Sequence, residues 1–115
     1  MELNPDSDLI INIDELTSEF RNFPSVFYRY CLYKAKVEAQ RDLAKAKLKE
    51  AKAIAYKRIK SDTTIKHTEK SMEAEIDTDP EVMDAQIKMI RAEHDASTWS
   101  GAVESMKSKR IVLYS

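Results

Sequence analysis

One glycine in 115 residues is the tightest constraint on this chain. A sheet protein of this length needs several glycine-bearing turns, because tight hairpins hold residues at positive φ. Gly101 cannot supply them alone, and the prolines are Pro5, Pro24 and Pro80. From Ser25 to about Ile59 there is no glycine, no proline and almost no β-branched residue, while Ala fills positions 35, 39, 44, 46, 51, 53 and 55. Such a run favours helix at nearly every position. The fold class that follows is all-α: an antiparallel hairpin of long helices, coiled-coil-like, with a short N-terminal helix.

Helix boundaries follow from local chemistry. Residues 1–11 read as an extended acidic arm, with turn residues at Asn4-Pro5-Asp6-Ser7-Asp8. A first helix is expected over about 12–22, capped by Asn12 with Glu15 three residues on. It ends before Pro24, because the residue preceding proline disfavours the helical region. The second helix covers about 25–60, with Pro24 suited to its first turn. Ser61-Asp62-Thr63-Thr64 offers side chains that compete for backbone bonds, so the pattern breaks there. A third helix is expected over 65–76. Asp79 then caps a fourth over about 80–109, with Pro80 in its first position. Residues 12–110 form one helical domain in this reading, and 111–115 a short apolar tail.

The fourth helix carries the clearest periodicity. Val82, Ala85, Met89, Ala92, Ala96, Trp99, Val103 and Met106 alternate at steps of three and four. That is a heptad seam, and Val82, Met89, Ala96, Trp99, Val103 and Met106 are its packing or oligomer contacts. Met83, Ile87 and Ile90 form a second apolar stripe, so the N-terminal half needs more than one neighbour. Gly101 weakens the helix by about 1 kcal/mol relative to Ala and is a place for close helix approach. The facing seam of Val37, Ala44, Leu48, Ala51 and Ala55 is rich in small residues. At about 25 cal/mol per Å² such residues bury little, so a homo-oligomer is expected to complete the core. Phe20, Phe23, Phe27, Tyr28, Tyr30 and Tyr33 cluster at the helix junction, as a hydrophobic clamp or as a base-stacking platform.

Net charge is −1, yet its distribution is uneven. Residues 1–20 hold six acids and no base, for −6; residues 69–84 hold seven acids against Lys70, also −6. Residues 29–60 hold eleven bases against three acids, for +8. Two readings stand side by side. One is a phosphate-binding stripe of Lys34, Arg41, Lys45, Lys47, Lys49, Lys52, Lys57 and Arg58. The other is a solvated face balanced by acidic segments. Lysine outnumbers arginine, which suits backbone contact over base reading.

Chemistry beyond binding has little support. Cys31 is the lone cysteine, so neither an internal disulfide nor a multi-cysteine zinc site is available. It reads as a small buried apolar residue. There is no glycine-rich phosphate loop, and His67 and His94 lack ligand spacing. Glu69, Glu73 and Asp77 share a helix face, which reads as a solvated acidic face sooner than a cation site. No catalytic residue, metal or cofactor is expected. Leu9-Ile10-Ile11 is too short for a signal or membrane span, so a soluble cytoplasmic protein is expected, with no membrane partner.

The order of features resembles the phage UvsY-like recombination mediators. The resemblance rests on Phe27 to Tyr33 (FYRYCLY), Val37-Glu38-Ala39-Gln40, Glu69-Lys70-Ser71-Met72, Asp77 to Val82, Trp99, and Ser105 to Arg110. It covers roughly residues 25–110. It implies a ring-like homo-oligomer that binds single-stranded DNA in the host cytoplasm. It further implies contact with a recombinase and a single-strand-binding protein, and DNA contacts at Lys45, Lys47, Lys49 and Lys52. The family's Tyr-Tyr-x-Gly turn is reduced here to Tyr56 without a glycine, and Arg110 is followed by the short apolar run Ile111 to Ser115, a second departure from the family pattern. The alternative function is a helical protein-interaction module without nucleic-acid affinity, docking through Trp99 or the aromatic cluster.

Overall fold

The computed structural model describes residues 3–62 and 68–115. The order is α1 (Pro5–Asp8), a 3-10 turn (Ile13–Glu15), α2 (Leu16–Ser61), α3 (Glu69–Thr78) and α4 (Pro80–Leu113). Among the described residues there is no strand. α2 and α4 run antiparallel, and the fold is an all-α helical hairpin. The described residues fall into two compact units. The first is the described part of Met1–Glu38 with Asp95–Ser115; the second is the described part of Ala39–His94.

The first unit is built on a core of Phe23, Tyr30, Val103, Met106 and Leu113. Val26, Phe27, Cys31, Trp99 and Ala102 pack against it, as do Leu3, Leu9 and Ile11 of the N-terminal segment. The segment expected to be an extended arm therefore contains a helical turn, α1, and is docked. Its apolar residues bury area, and the Tyr30 hydroxyl donates to the Asp8 carboxylate at 2.7 Å. Burial, then that bond, push the Tyr30 phenol well above its ordinary range.

Two boundaries differ from the sequence reading. α2 runs through Pro24 instead of breaking there. Proline in a helix costs about 3 kcal/mol or more. Phe23 and Tyr30, on either side of it, each gain about 1.5–3 kcal/mol from burial in one core, which offsets that cost. The expected helix 12–22 is thus a 3-10 turn plus the start of α2, with Asn12 accepting from the Asp14 amide at 3.1 Å. At the other end, α4 continues to Leu113 instead of stopping at 109. Leu113 is buried, and the Tyr114 ring lies 5.1 Å from that of Phe20. The apolar tail is an extra helical turn held by the core. α4 also passes through Gly101 unbroken, and nothing lies within 4 Å of where a Cβ would stand. No close helix approach exists there.

The second unit packs Leu48 and Ala55 of α2 against Val82 of α4, with Ala51, Ile76, Ala85 and Met89 around them. α3 contributes Ile76. Its cap is Thr68, whose hydroxyl accepts from the Ser71 amide at 3.2 Å. The expected start at 65–67 lies outside the described residues. Asp79 caps α4 as its sequence position suggests, accepting from the Val82 amide at 3.2 Å.

Candidate nucleic-acid interface

The second unit carries most of the candidate cations. α2 presents them because its seam residues Ala44, Leu48, Ala51 and Ala55 turn inward, leaving the intervening lysines outside. Antiparallel register is set by Lys45, 3.5 Å from Glu93, and by the Arg58–Asp79 ion pair. Residue 49 therefore stands opposite 89, and 52 opposite 86.

The eight expected cations are not alike. Four are engaged: Lys34 with Glu38 at 3.6 Å, Arg41 with Asp42 at 3.1 Å, Lys45 with Glu93, and Arg58 with Asp79. Lys34 and Arg41 also sit half-buried at seam positions, three residues before Val37 and Ala44. They belong to the packing face more than to an outer stripe. Lys47, Lys49, Lys52 and Lys57 are exposed and have no carboxylate partner among the described residues.

The stripe is split around the helix. Lys45, Lys49 and Lys52 recur at steps of four and three and share one flank. Lys47 opens on the opposite flank, in a groove of about 270 Å³ with Leu43, Ala44, Asp84, Ala85 and Lys88. Tyr56 continues the first flank, four residues after Lys52, and the Lys60 ammonium stands 5.6 Å from its ring centre.

Arg58 and Asp79 form the most constrained pair of this unit. The Arg58 side chain remains 60 % exposed while that of Asp79 is 5 % exposed. The guanidinium bond, with help from the Val82 amide, holds the Asp79 carboxyl below the usual carboxylate range. The pair closes the α3–α4 junction, so Arg58 is structural before it is a ligand contact.

Val82, Ala96, Val103 and Met106 are buried, and Met89 and Trp99 half-buried. Trp99 stands 5.9 Å from the Tyr30 ring and 4.5 Å from the Tyr33 ring. Phe23 and Phe27 stack at 5.7 Å. Within the first unit these rings engage one another, whereas Tyr28 is 63 % exposed.

Lys109 is the residue whose role the sequence does not announce. It is buried, and its ammonium donates to the Asp8 and Ile10 carbonyls and pairs with Glu19 at 3.0 Å. The available signal is its place on the inward stripe, three residues after Met106. Its charge is spent on the N-terminal segment.

Among the described residues, no three or more of His, Cys, Asp and Glu are grouped to hold a metal ion. His94 is exposed, and His67 lies outside the described residues. Among the described residues, no helix is long and apolar enough to cross a membrane. No family model, curated protein or solved structure matches the chain.

Proposed function

We propose that this protein binds single-stranded DNA through the lysines of α2 and acts as a recombination mediator, by binding and not by catalysis. The observation that carries the reading is that, among the described residues, four exposed lysines at positions 47, 49, 52 and 57 have no carboxylate partner. A lysine already paired gains little from a phosphate; an unpaired one releases counterions when phosphate replaces solvent ions. The likeness to UvsY-like mediators supports the rest: action in the host cytoplasm, a ring-like homo-oligomer, and partners in a recombinase and a single-strand-binding protein.

Fluorescence titration of labelled single strands at two salt concentrations tests this, with light scattering for the assembly. Each phosphate contact contributes about 0.7 to the slope of log K against log salt on single strands. Lys47→Glu, Lys49→Glu and Lys52→Glu together are expected to weaken binding and flatten that slope by about 0.7 for each of these lysines that meets a phosphate. Unchanged affinity and slope reject the assignment. The rival reading, a protein-interaction module, draws on the exposed row of Met83, Ile87 and Ile90. Stable capture of one host protein with no strand affinity favours it.

A further inference from the structure

The second unit places an unpartnered apolar row beside the lysine row. Met83, Ile87 and Ile90 are 50 %, 49 % and 53 % exposed, on α4 at steps of four and three. Ile90 stands three residues before Glu93, so the two share a face of the helix. Glu93 reaches Lys45 across the seam, so that face opens to the same side as Lys45, Lys49 and Lys52. By the register above, Ile90, Ile87 and Met83 lie beside residues 48, 51 and 55 of α2. The two rows therefore run alongside each other on helices whose axes are packed about 8–10 Å apart. The apolar row is about 10 Å long, and the row from Lys45 to Tyr56 about 16 Å, at 1.5 Å per residue. Tyr56, 43 % exposed, ends the lysine row, with the Lys60 ammonium 5.6 Å from its ring centre.

We infer that this flank is a two-track strip for an unpaired strand, with phosphates on Lys49 and Lys52 and bases against Tyr56, Ile87, Ile90 and Met83. The inference rests on the proposed function and adds what that reading leaves open: why a single strand is preferred over a duplex. Lysines alone attract any polyanion. Apolar and aromatic side chains gain only from bases that are free to leave their stack. In a duplex the bases face one another, so the α4 row has nothing to cover. A methionine at the row's end adds a soft contact to an aromatic base. Glu93, on the same face as Ile90, has its charge met by Lys45.

The test uses the full-length chain and three labelled probes: an oligothymidylate, an abasic oligomer of the same length, and a duplex. The expected result is a preference of about tenfold for the oligothymidylate over the abasic strand, a size set by stacking on an aromatic ring. Tyr56→Leu with Ile87→Ser and Ile90→Ser is expected to erase that preference while leaving abasic-strand affinity and helix content unchanged. Equal affinity of the wild type for the oligothymidylate and the abasic strand overturns the inference and leaves the proposed function standing. A fall in sedimentation mass of the triple variant also overturns it, because the row is then covered by a second copy. Failure of all three probes to bind removes the proposed function and the inference with it.

Discussion

Replacing Lys109 by methionine is the sharpest test of how the first unit is held. The Lys109 side chain is 6 % exposed and that of its partner Glu19 is 21 % exposed. Methionine keeps most of the stem and its packing but leaves two carbonyls and a carboxylate without their donor. A hydrogen bond to a charged group contributes about 1.5–3 kcal/mol, and breaking a fully buried ion pair costs about 3–5 kcal/mol. Water reaches Glu19, so the upper range does not apply, and Lys109→Met is expected to cost about 2–3 kcal/mol. Urea unfolding followed by far-ultraviolet circular dichroism measures it. Trp99 emission follows the same unit, because that ring packs on Tyr30 and Tyr33. The N-terminal segment loses its anchor at Asp8 and Ile10, so limited proteolysis there is expected to quicken. Adding Glu19→Leu removes the carboxylate left without its cation, together with its bond from the Asn12 amide at 3.4 Å, and is expected to recover at most about 1 kcal/mol. A single variant within about 0.5 kcal/mol of the wild type, with the segment equally protected, refutes the reasoning.

Two further outcomes are expected. Gly101→Ala fills open space in the interior of α4 and is expected to raise stability by about 0.5–1 kcal/mol in the same urea assay; a loss contradicts the unobstructed geometry. Asp79→Asn keeps a good cap but removes the charge facing Arg58. The folded carboxyl titrates below its unfolded value of about 3.9, so its contribution is present above that pH and is lost as pH falls through the depressed folded value. Thermal melting is expected to show the wild type ahead at neutral pH, with the gap closing in acid; a constant gap contradicts the pairing.

Much of the fold is legible in the sequence where local and periodic signals agree. The scarcity of glycine and the alanine-rich run specify long helices, and Val82 to Met106 specify which side of α4 turns inward. Asp79 and Pro80 mark a helix start that needs no distant contact. The sequence misreads Pro24 because proline's local penalty is plain, while the core joining Phe23 to Met106 and Leu113 across the chain is not. The same reason explains Tyr114 and the last turn of α4. Charge shows the gap most clearly. Eleven bases against three acids in residues 29–60 can be counted from composition. Which of them meet carboxylates depends on what the hairpin brings opposite them. Glu93 reaches Lys45 and Asp79 reaches Arg58 only after the chain reverses, whereas Lys49 and Lys52 face residues of α4 that offer no acid. Periodicity thus determined the helices and their inward faces, being a property of neighbours three and four apart. Tertiary structure decided that Lys45 and Arg58 are engaged and that Lys109 is an anchor, because their partners Glu93, Asp79 and Glu19 are brought to them only by long-range packing.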